Sequence, residues 1–329
     1  MEIDLAPKAP KGLYAGDGGS YSSWTPDDLP MLRVASIGAA KLTLNSRGFA
    51  APSYSDSSKV AYVLQGSGVC GLTVPEATTE KVIRIKEGDA LAIPFGFVTW
   101  WFNPNDSDLA ILFLGDTSRG HRRGQFTDFH LTGPTGIFTG FTPEFVSRAW
   151  DLSDSDVSKL VHDQSNVGIV KLKVGQKMPE PSEKDRDGLV VNCHEAPLDV
   201  DIKGGGCVVV LNSKNLPTVE LVTYVVKGSG RVQVVGVDGR RVLETKVSGG
   251  QLFIVPRFFV VSKIADPEGM EWFSIITTPN PVFSHLAGRT SVWKAISPEV
   301  LEAAFDAARE LEQLFRSKRT SDEIFFPPK

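Results

Sequence analysis

One short segment of this chain occurs twice, 162 residues apart, and this repeat constrains the fold more than any other feature of the sequence. The segment YVLQGSG at residues 62–68 returns as YVVKGSG at residues 224–230. A second block, GDALAIP at residues 88–94, returns at the same offset as GQLFIVP at residues 250–256. Because two separate blocks share one offset, the sequence predicts two copies of one fold.

The length and composition fit two such copies and exclude several kinds of partner. A chain of 329 residues can fill two cores, since single cores stop growing near about 250–300 residues. The net charge is −4, with 35 basic and 39 acidic residues intermixed, which predicts no nucleic-acid partner. No apolar stretch approaches the roughly 20 residues that cross a bilayer, so no membrane partner is expected.

The compartment is predicted from the start of the sequence and from the cysteines. The first residues lack the charged and apolar regions of a signal peptide. Cys70, Cys193 and Cys207 cannot all pair, and they do not form a dense disulfide pattern. We therefore expect a cytoplasmic location, with the nucleus as an alternative.

Within each copy the local pattern indicates β-structure followed by helix. Runs such as KVAYVLQGSG and DALAIPFG are rich in strand-forming side chains and are separated by turn residues, which predicts a sandwich or barrel. TPE at 142–144 and SPE at 297–299 each combine a cap, a proline and an acid, which predicts a helix after each barrel. The second helix carries an apolar stripe, which packs either on its own barrel or on a neighbouring subunit.

These signals predict two domains of similar build. The first spans 1–175, with a helical arm at about 142–163, and the second spans 176–329, with an arm at about 297–318.

Several motifs resemble those of the cupin superfamily. The second cupin motif has the form G-x5-P-x-G-x2-H-x3-N, and Gly88, Pro94, Gly96 and Asn103 fall on it in register, with Thr99 at the histidine position. The strings GIFTGFTPEFVSRAWDLS, RVQVVGVDGRRV and HLAGRTSVWKAI are similar to strings of the legumin-type seed storage globulins of plants. The resemblance implies a mainly β fold of two tandem cupin barrels, of the double-stranded β-helix or jelly-roll type, each with a C-terminal helical extension.

The resemblance also implies self-association, as a head-to-tail homotrimer with a dimer as the alternative. Legumin-type precursors are cut at an Asn-Gly bond and joined by a disulfide from a cysteine shortly after it. Here Asp187-Gly188 occupies that neighbourhood and Cys193 follows, but no cysteine near the start of the sequence could be its partner. We therefore expect one uncleaved chain without that bridge.

The positions of the cupin metal ligands carry the wrong residue types. Enzymatic cupins hold a transition metal with histidines and a glutamate, whose nitrogen and oxygen donors suit such ions. The corresponding positions of this chain hold Ser53 or Tyr54, Ser55 or Asp56, Lys59, Thr99 and, in the second copy, Val261. A lysine ammonium has no lone pair to give and repels a cation. We expect no metal and no cofactor in either copy.

A pocket can remain in the first barrel without a metal, because barrels of this size are just wide enough for side chains or one small ligand. The candidate lining residues are Tyr54, Lys59, Tyr62, Thr99 and Trp101. Either they fill the barrel, or they surround a small-molecule ligand. The first hypothesis is a non-catalytic, legumin-like bicupin with a storage-like or ligand-binding role. The alternative is a metal-free isomerase, epimerase or cyclase of a small polar metabolite, with Tyr54, Tyr62 or Lys59 as acid or base.

Overall fold

The computed structural model describes residues 4–161, 168–202, 206–210, 222–236, 239–256 and 259–275, together with the single positions 291, 301, 310, 313, 314 and 317. The chain divides into two units. The first comprises Met1–His194 and Asn212–Pro279, and the second comprises Glu195–Leu211 and Asn280–Lys329. Both repeated blocks of both copies therefore belong to the first unit.

The first copy consists mainly of short antiparallel strands. In chain order they are β1 Lys11–Gly16, β2 Gly19–Trp24, β3 Ile37–Leu44, β4 Gly48–Ser55, β5 Ser58–Gln65, β6 Ser67–Thr73, β7 Lys81–Lys86, β8 Asp89–Ile93, β9 Val98–Phe102, β10 Leu109–Asp116, β11 Asp128–His130, β12 Ile169–Lys171 and β13 Val190–Asn192. The helices are α1 Met31–Ala35, α2 Pro143–Trp150, α3 Asp154–Val161 and α4 Glu183–Arg186, with a 3-10 turn at Ile137–Gly140.

These strands form two sheets around a shared core. The larger sheet has the order β1-β2-β3-β10-β5-β8-β13, and the smaller has the order β11-β4-β9-β6-β7, with β12 paired to β4. Alternate residues of β10 face the core, where Leu109, Ile111 and Phe113 lie in one cluster with Ile83 and Ile85 of the other sheet. Leu112 and Leu114, on the other face of β10, are buried as well, so both faces of this strand are covered and its sequence is a nearly continuous apolar run.

Three residues of the cupin motif, Gly88, Gly96 and Asn103, lie at turns that connect these strands, and Thr99 lies within β9. Gly88 and Gly96 have φ angles of +83° and +76°, in the left-handed region that glycine adopts most readily. Asn103 follows β9 and is fully buried. Its side-chain amide lies 2.9 Å from the carbonyl of Leu44 and 2.8 Å from that of Ser107, so it joins two loops.

The second copy repeats the pairing of the first. Its described strands are β16 Val222–Val235, β17 Arg241–Ser248, β18 Leu252–Ile254 and β19 Val260–Ile275, in a sheet of order β17-β16-β18 with β19 paired to β16. Tyr62 opposes Ala90 in the first copy, and Tyr224 opposes Leu252 in the second. Tyr224 follows Tyr62 by 162 residues, and Leu252 follows Ala90 by the same 162 residues. The sequence repeat is therefore also a structural repeat.

The second unit is described at fewer positions. Its strands β14 Val200–Ile202 and β15 Gly206–Val208 form a two-stranded antiparallel sheet. The predicted second arm at 297–318 lies mostly outside the described residues.

The first arm contains two helices within the predicted range. Thr142 takes the extended cap conformation before Pro143, although its side chain makes no capping hydrogen bond, and Glu144 pairs with Arg148 at 3.0 Å. Val146 and Val157 are buried against each other. Among the described residues no helix is long and apolar enough to cross a membrane. The predicted boundary at 175/176 stays a prediction, and β13, beyond it, pairs with β8.

Candidate functional site

A cavity of about 260 Å³ lies inside the first barrel. It is lined by Tyr14, Tyr21, Leu42, Ala50, Ala51, Ser53, Lys59, Ile93, Thr99, Trp101, Phe113, Asp128, His130, Gly168 and Ile169. Three of the five predicted site residues, Lys59, Thr99 and Trp101, are in this lining. The cavity therefore has one predominantly apolar and aromatic wall and a smaller group of polar side chains.

Strands β4 and β9 bring two hydroxyl groups into the cavity. Ser53 and Thr99 are opposite one another in the antiparallel register, so their side chains lie on the same face of the sheet. Both residues line the cavity. Thr99 stands at the histidine position of the cupin motif and lies in the cavity lining.

Lys59 forms a buried ion pair with Asp128 inside the cavity. The Lys59 Nζ atom lies 2.7 Å from Asp128 Oδ1, and the two side chains are only 10% and 23% exposed. The ammonium also lies 4.6 Å from the ring centre of Phe126 and 5.5 Å from that of Phe113. Aromatic faces stabilise a cation, so the ion pair and the rings together compensate for the lost hydration of Lys59.

Tyr21 completes the hydrogen bonding of Asp128. The Tyr21 hydroxyl donates to Asp128 Oδ2 at 3.2 Å. Burial and then the negative charge of Asp128 raise the pKa of Tyr21 well above its usual value, so the phenol stays neutral. Both carboxylate oxygens of Asp128 thus have a donor within the protein.

His130 lines the cavity with an unsatisfied nitrogen. It lies opposite Ser53 in the pairing of β11 with β4. Its Nδ1 atom is buried and has no hydrogen-bond partner within the described parts of the chain. A buried polar atom without a partner costs on the order of 1–3 kcal/mol, so a partner here would stabilise the structure.

Tyr54 is not among the residues that line this cavity. It pairs with Val98, one residue beyond the Ser53 and Thr99 pair, and successive side chains of a strand point to opposite faces. Its ring stacks on Phe129 at a centroid distance of 5.0 Å and borders a separate groove of about 340 Å³. A register irregularity between Ala50 and Ser53 makes this face difficult to assign from spacing alone.

Tyr62 also lies outside the cavity. Its neighbours Ala61 and Val63 face the first core, so Tyr62 points to the opposite side of the sheet. There it is buried and stacks on Phe273 of the second copy at a centroid distance of 4.3 Å. Burial raises the pKa of Tyr62, which makes it a poor acid or base at neutral pH.

The profile of the Cupin family matches residues 5–158 and 209–313, which together cover more than half of the chain. The chain belongs to the cupin family. Since both halves match, the protein is a bicupin, and the relatives described next make it one of the legumin type.

The curated relatives of this bicupin are seed storage globulins. The 11S globulin seed storage protein Ana o 2.0101 of Anacardium occidentale is 27% identical over 390 residues, covering 89% of this chain and 85% of the relative. The 12S seed storage protein CRD of Arabidopsis thaliana is 26% identical, covering 93% of this chain and 86% of the relative.

Solved structures of this family superpose over almost the entire chain. The pumpkin seed globulin matches with a TM-score of 0.89 and 25% identity, covering 99% of this chain and 98% of its own. The 11S globulin from Wrightia tinctoria, whose structure is described as revealing an auxin binding site, matches with a TM-score of 0.88 and 26% identity, covering 100% and 98%. The predicted fold class of two jelly-roll cupin barrels is confirmed.

The remaining cupin ligand positions of this bicupin have other roles. Asp56 Oδ2 accepts hydrogen bonds from the backbone N–H of His121 at 2.7 Å and lies 3.1 Å from its Nδ1, so the carboxylate holds a loop. Val261 lies on β19 opposite Val234 of the second copy. Within the described residues no group of three or more His, Cys, Asp or Glu side chains is arranged to hold a metal ion.

Sequence reasoning missed Asp128 as the partner of Lys59. Asp128 belongs to a three-residue strand that follows a long polar loop, and its sequence shows no strand periodicity. The only available signal was that a buried lysine needs a carboxylate partner. That requirement does not identify which aspartate or glutamate of the chain is the partner.

Proposed function

We propose that this bicupin is a non-catalytic, storage-like protein whose first barrel retains a small-ligand site without the cupin metal. The observation that carries the proposal is the Lys59 and Asp128 ion pair, 2.7 Å apart, in the cavity. A metal there would meet an ammonium group that has no lone pair and carries the same charge sign. The storage-like part of the proposal is supported by the seed storage globulins that match this chain.

Metal titration tests the proposal. We expect purified protein to contain far less than one equivalent of Mn, Fe, Ni or Zn and to show no saturable uptake in calorimetry. The Lys59→Glu variant places a second carboxylate beside Asp128 and should acquire measurable divalent-cation affinity, which shows that the assay can detect the site. A stoichiometric metal in the wild type, lost on mutation of Thr99 or Asp128, would overturn the proposal.

The enzyme alternative is supported less by the geometry. Of its three candidate acids or bases, Tyr54 and Tyr62 lie outside the cavity, and Lys59 is paired with Asp128. A general base must lie within hydrogen-bond reach of the proton that it abstracts, and the Lys59 Nζ atom is already engaged by Asp128 Oδ1 at 2.7 Å. We therefore place the non-catalytic role first.

We further propose that the protein self-associates through its first arm, as a homotrimer. The support is a set of exposed apolar side chains: Phe145 and Trp150 on that arm are 67% and 63% exposed, and Phe141, just before it, is 51% exposed. Clusters of exposed aromatic side chains are typical of interaction surfaces.

Light scattering coupled to gel filtration should give three protomers for the wild type and smaller species for the double variant Phe145→Ser with Trp150→Ser. Val34→Ser, at an exposed apolar residue elsewhere, is the matched control. Unchanged assembly in the double variant, or a dimeric wild type, would contradict the proposed trimer.

We propose a cytoplasmic location. It is supported by the three cysteines, all of which are free thiols in the structure, as expected in a reducing compartment. Expression of the full chain with a fluorescent tag, followed by cell fractionation, tests this. Accumulation in a vacuolar or secretory fraction would contradict it.

A further inference from the structure

The size of the first-barrel cavity limits what it can hold. An apolar cavity of about 150 Å³ is known to accept a benzene ring. The cavity here, about 260 Å³, therefore has room for one aromatic ring with a short substituent. Cavities that hold larger drug-sized ligands start at about 300 Å³.

The walls of the cavity favour an aromatic ring. Trp101 and Phe113 form an edge-to-face pair with ring centres 5.5 Å apart, and both line the cavity. Tyr14 and Tyr21 line it as well, and the Tyr14 hydroxyl is used in a 2.9 Å hydrogen bond to the carbonyl of Ile169. Aromatic rings prefer stacked and edge contacts with other rings, so this wall matches a planar apolar ligand.

The charges that face the cavity cancel. Lys59 contributes one positive charge and Asp128 one negative charge, and among the described residues that line the cavity they are the only lysine, arginine, aspartate or glutamate. An anionic ligand would have to share the Lys59 ammonium with Asp128 and would meet that carboxylate at close range. Like charges in a poorly hydrated site repel strongly, so the cavity disfavours a carboxylate.

Hydrogen-bonding capacity remains for an uncharged polar group. An ammonium has three protons, and one of those on Lys59 is used by Asp128. The imidazole of His130 has a buried nitrogen without a partner within the described residues. Ser53 and Thr99 add two hydroxyl groups. A ligand hydroxyl can accept from the ammonium and donate to an acceptor, so it fits this polar end better than a group that only accepts.

We propose that the first-barrel cavity binds a small, uncharged aromatic alcohol or phenol, and that the Lys59 and Asp128 pair excludes the corresponding carboxylate. This inference rests on the ligand-binding role proposed above and specifies its chemistry. The pair acts as a specificity element: Lys59 directs the ligand hydroxyl, and Asp128 cancels the charge that would otherwise attract an anion.

The test compares two probes of similar size and different charge. Benzyl alcohol and benzoate are titrated into the full-length protein at pH 7, and binding is followed by ligand-observed NMR and calorimetry. We expect the alcohol to bind at least about tenfold more tightly than the carboxylate, since the carboxylate of benzoate would meet the like charge of Asp128. Asp128→Asn removes the negative charge at nearly constant shape and should shift this ratio by at least about tenfold towards benzoate.

The matched control is Asp28→Asn. Asp28 pairs with Lys11 at 2.6 Å on the surface, away from the cavity lining, so its substitution should leave the ratio unchanged. If Asp128→Asn does not fold, a crystal structure of the wild type with benzyl alcohol decides instead, because the hydroxyl must lie within hydrogen-bond distance of Lys59 Nζ.

The outcomes separate this inference from the proposed function. If the carboxylate binds in the cavity as tightly as the alcohol, or if Asp128→Asn leaves the ratio unchanged, the ligand-binding role stands and the charge-based specificity is wrong. If neither probe binds, or if the alcohol binds only outside the barrel, the ligand-binding role itself is wrong, and this inference fails with it.

Discussion

The guanidinium of Arg186 and the carboxylate of Asp89 form two hydrogen bonds of 2.8 Å each, which join α4 to the start of β8. The Asp89 side chain is fully buried, and it also accepts from Asn192 Nδ2 and from the backbone N–H of Lys86, both at 2.8 Å. One carboxylate therefore fixes α4 and β13 against β7 and β8. The segment that continues from the first barrel towards the second copy depends on this ion pair.

We predict that Arg186→Met destabilises the protein by about 3 kcal/mol, because it leaves a buried carboxylate without its charged partner. Chemical denaturation at pH 7 measures the change. The control is Arg148→Met, which removes an exposed partner of Glu144 and should change the free energy of unfolding by less than about 0.5 kcal/mol. Equal effects of the two variants would contradict the structural role of Arg186.

The destabilisation caused by Arg186→Met should depend on pH. Burial raises the pKa of Asp89, but the hydrogen bonds from Arg186, Asn192 and Lys86 outweigh burial, so the pKa lies below its usual value. A carboxyl group whose pKa is lowered in the folded state stabilises the fold fully above its unfolded-state pKa of about 3.9. This stabilisation is lost as the pH falls through the pKa of the group in the folded state. The difference between wild type and Arg186→Met should therefore be constant from about pH 5 to 8 and shrink below about pH 4. A difference that grows on acidification would contradict the assignment.

The sequence was sufficient for the fold but only in part for the site. The repeat offset predicted the duplication, and Thr99 and Lys59 were found because the cupin motif fixes their positions. Tyr54 lies outside the cavity lining because a shift of one residue along a strand moves a side chain to the other face. Tyr62 lies outside the cavity lining because its ring stacks on Phe273, a contact that spans the two copies and that no local pattern encodes.

Asn103 supports a second stability prediction. Its buried Nδ2 lies within 3.1 Å of the carbonyl oxygens of Leu44, Asn45 and Ser107. Asn103→Asp replaces this donor with a carboxylate oxygen that faces three acceptors, and it should cost about 3 kcal/mol or more in thermal or chemical unfolding at pH 7. Asn45→Asp, at an exposed amide, is the matched control and should cost less than about 1 kcal/mol. A mild effect of Asn103→Asp would show that these loops tolerate rearrangement.

The stacked rings of Tyr62 and Phe273 predict an energetic coupling between the two copies. A double-mutant cycle with Tyr62→Leu and Phe273→Leu should give a coupling free energy of about 0.5–1.5 kcal/mol, as for other stacked aromatic pairs. Tyr62→Leu combined with Phe129→Leu is the control, because Phe129 stacks on Tyr54 instead, and its effects should add. Additivity in the first cycle would mean that the 4.3 Å contact does not stabilise the fold.

The three thiols should react at very different rates. Cys207 is exposed, Cys193 is partly buried and Cys70 is fully buried. Burial, followed by the charge of Asp89, raises the pKa of Cys193 to about 11, and burial together with Glu80 raises the pKa of Cys70. Because only the thiolate attacks a disulfide reagent, about a thousandth of Cys193 is reactive at pH 8. Ellman's reagent should therefore titrate Cys207 rapidly and Cys193 slowly in the folded protein, and Cys70 only after unfolding in guanidinium. Cys207→Ser should remove the rapid phase. Raising the pH from 8 to 9 should increase the reaction rate of Cys193 about tenfold, because its thiolate fraction rises about tenfold. Rapid titration of two thiols at pH 8 would place Cys193 in a more open environment than the turn after β13.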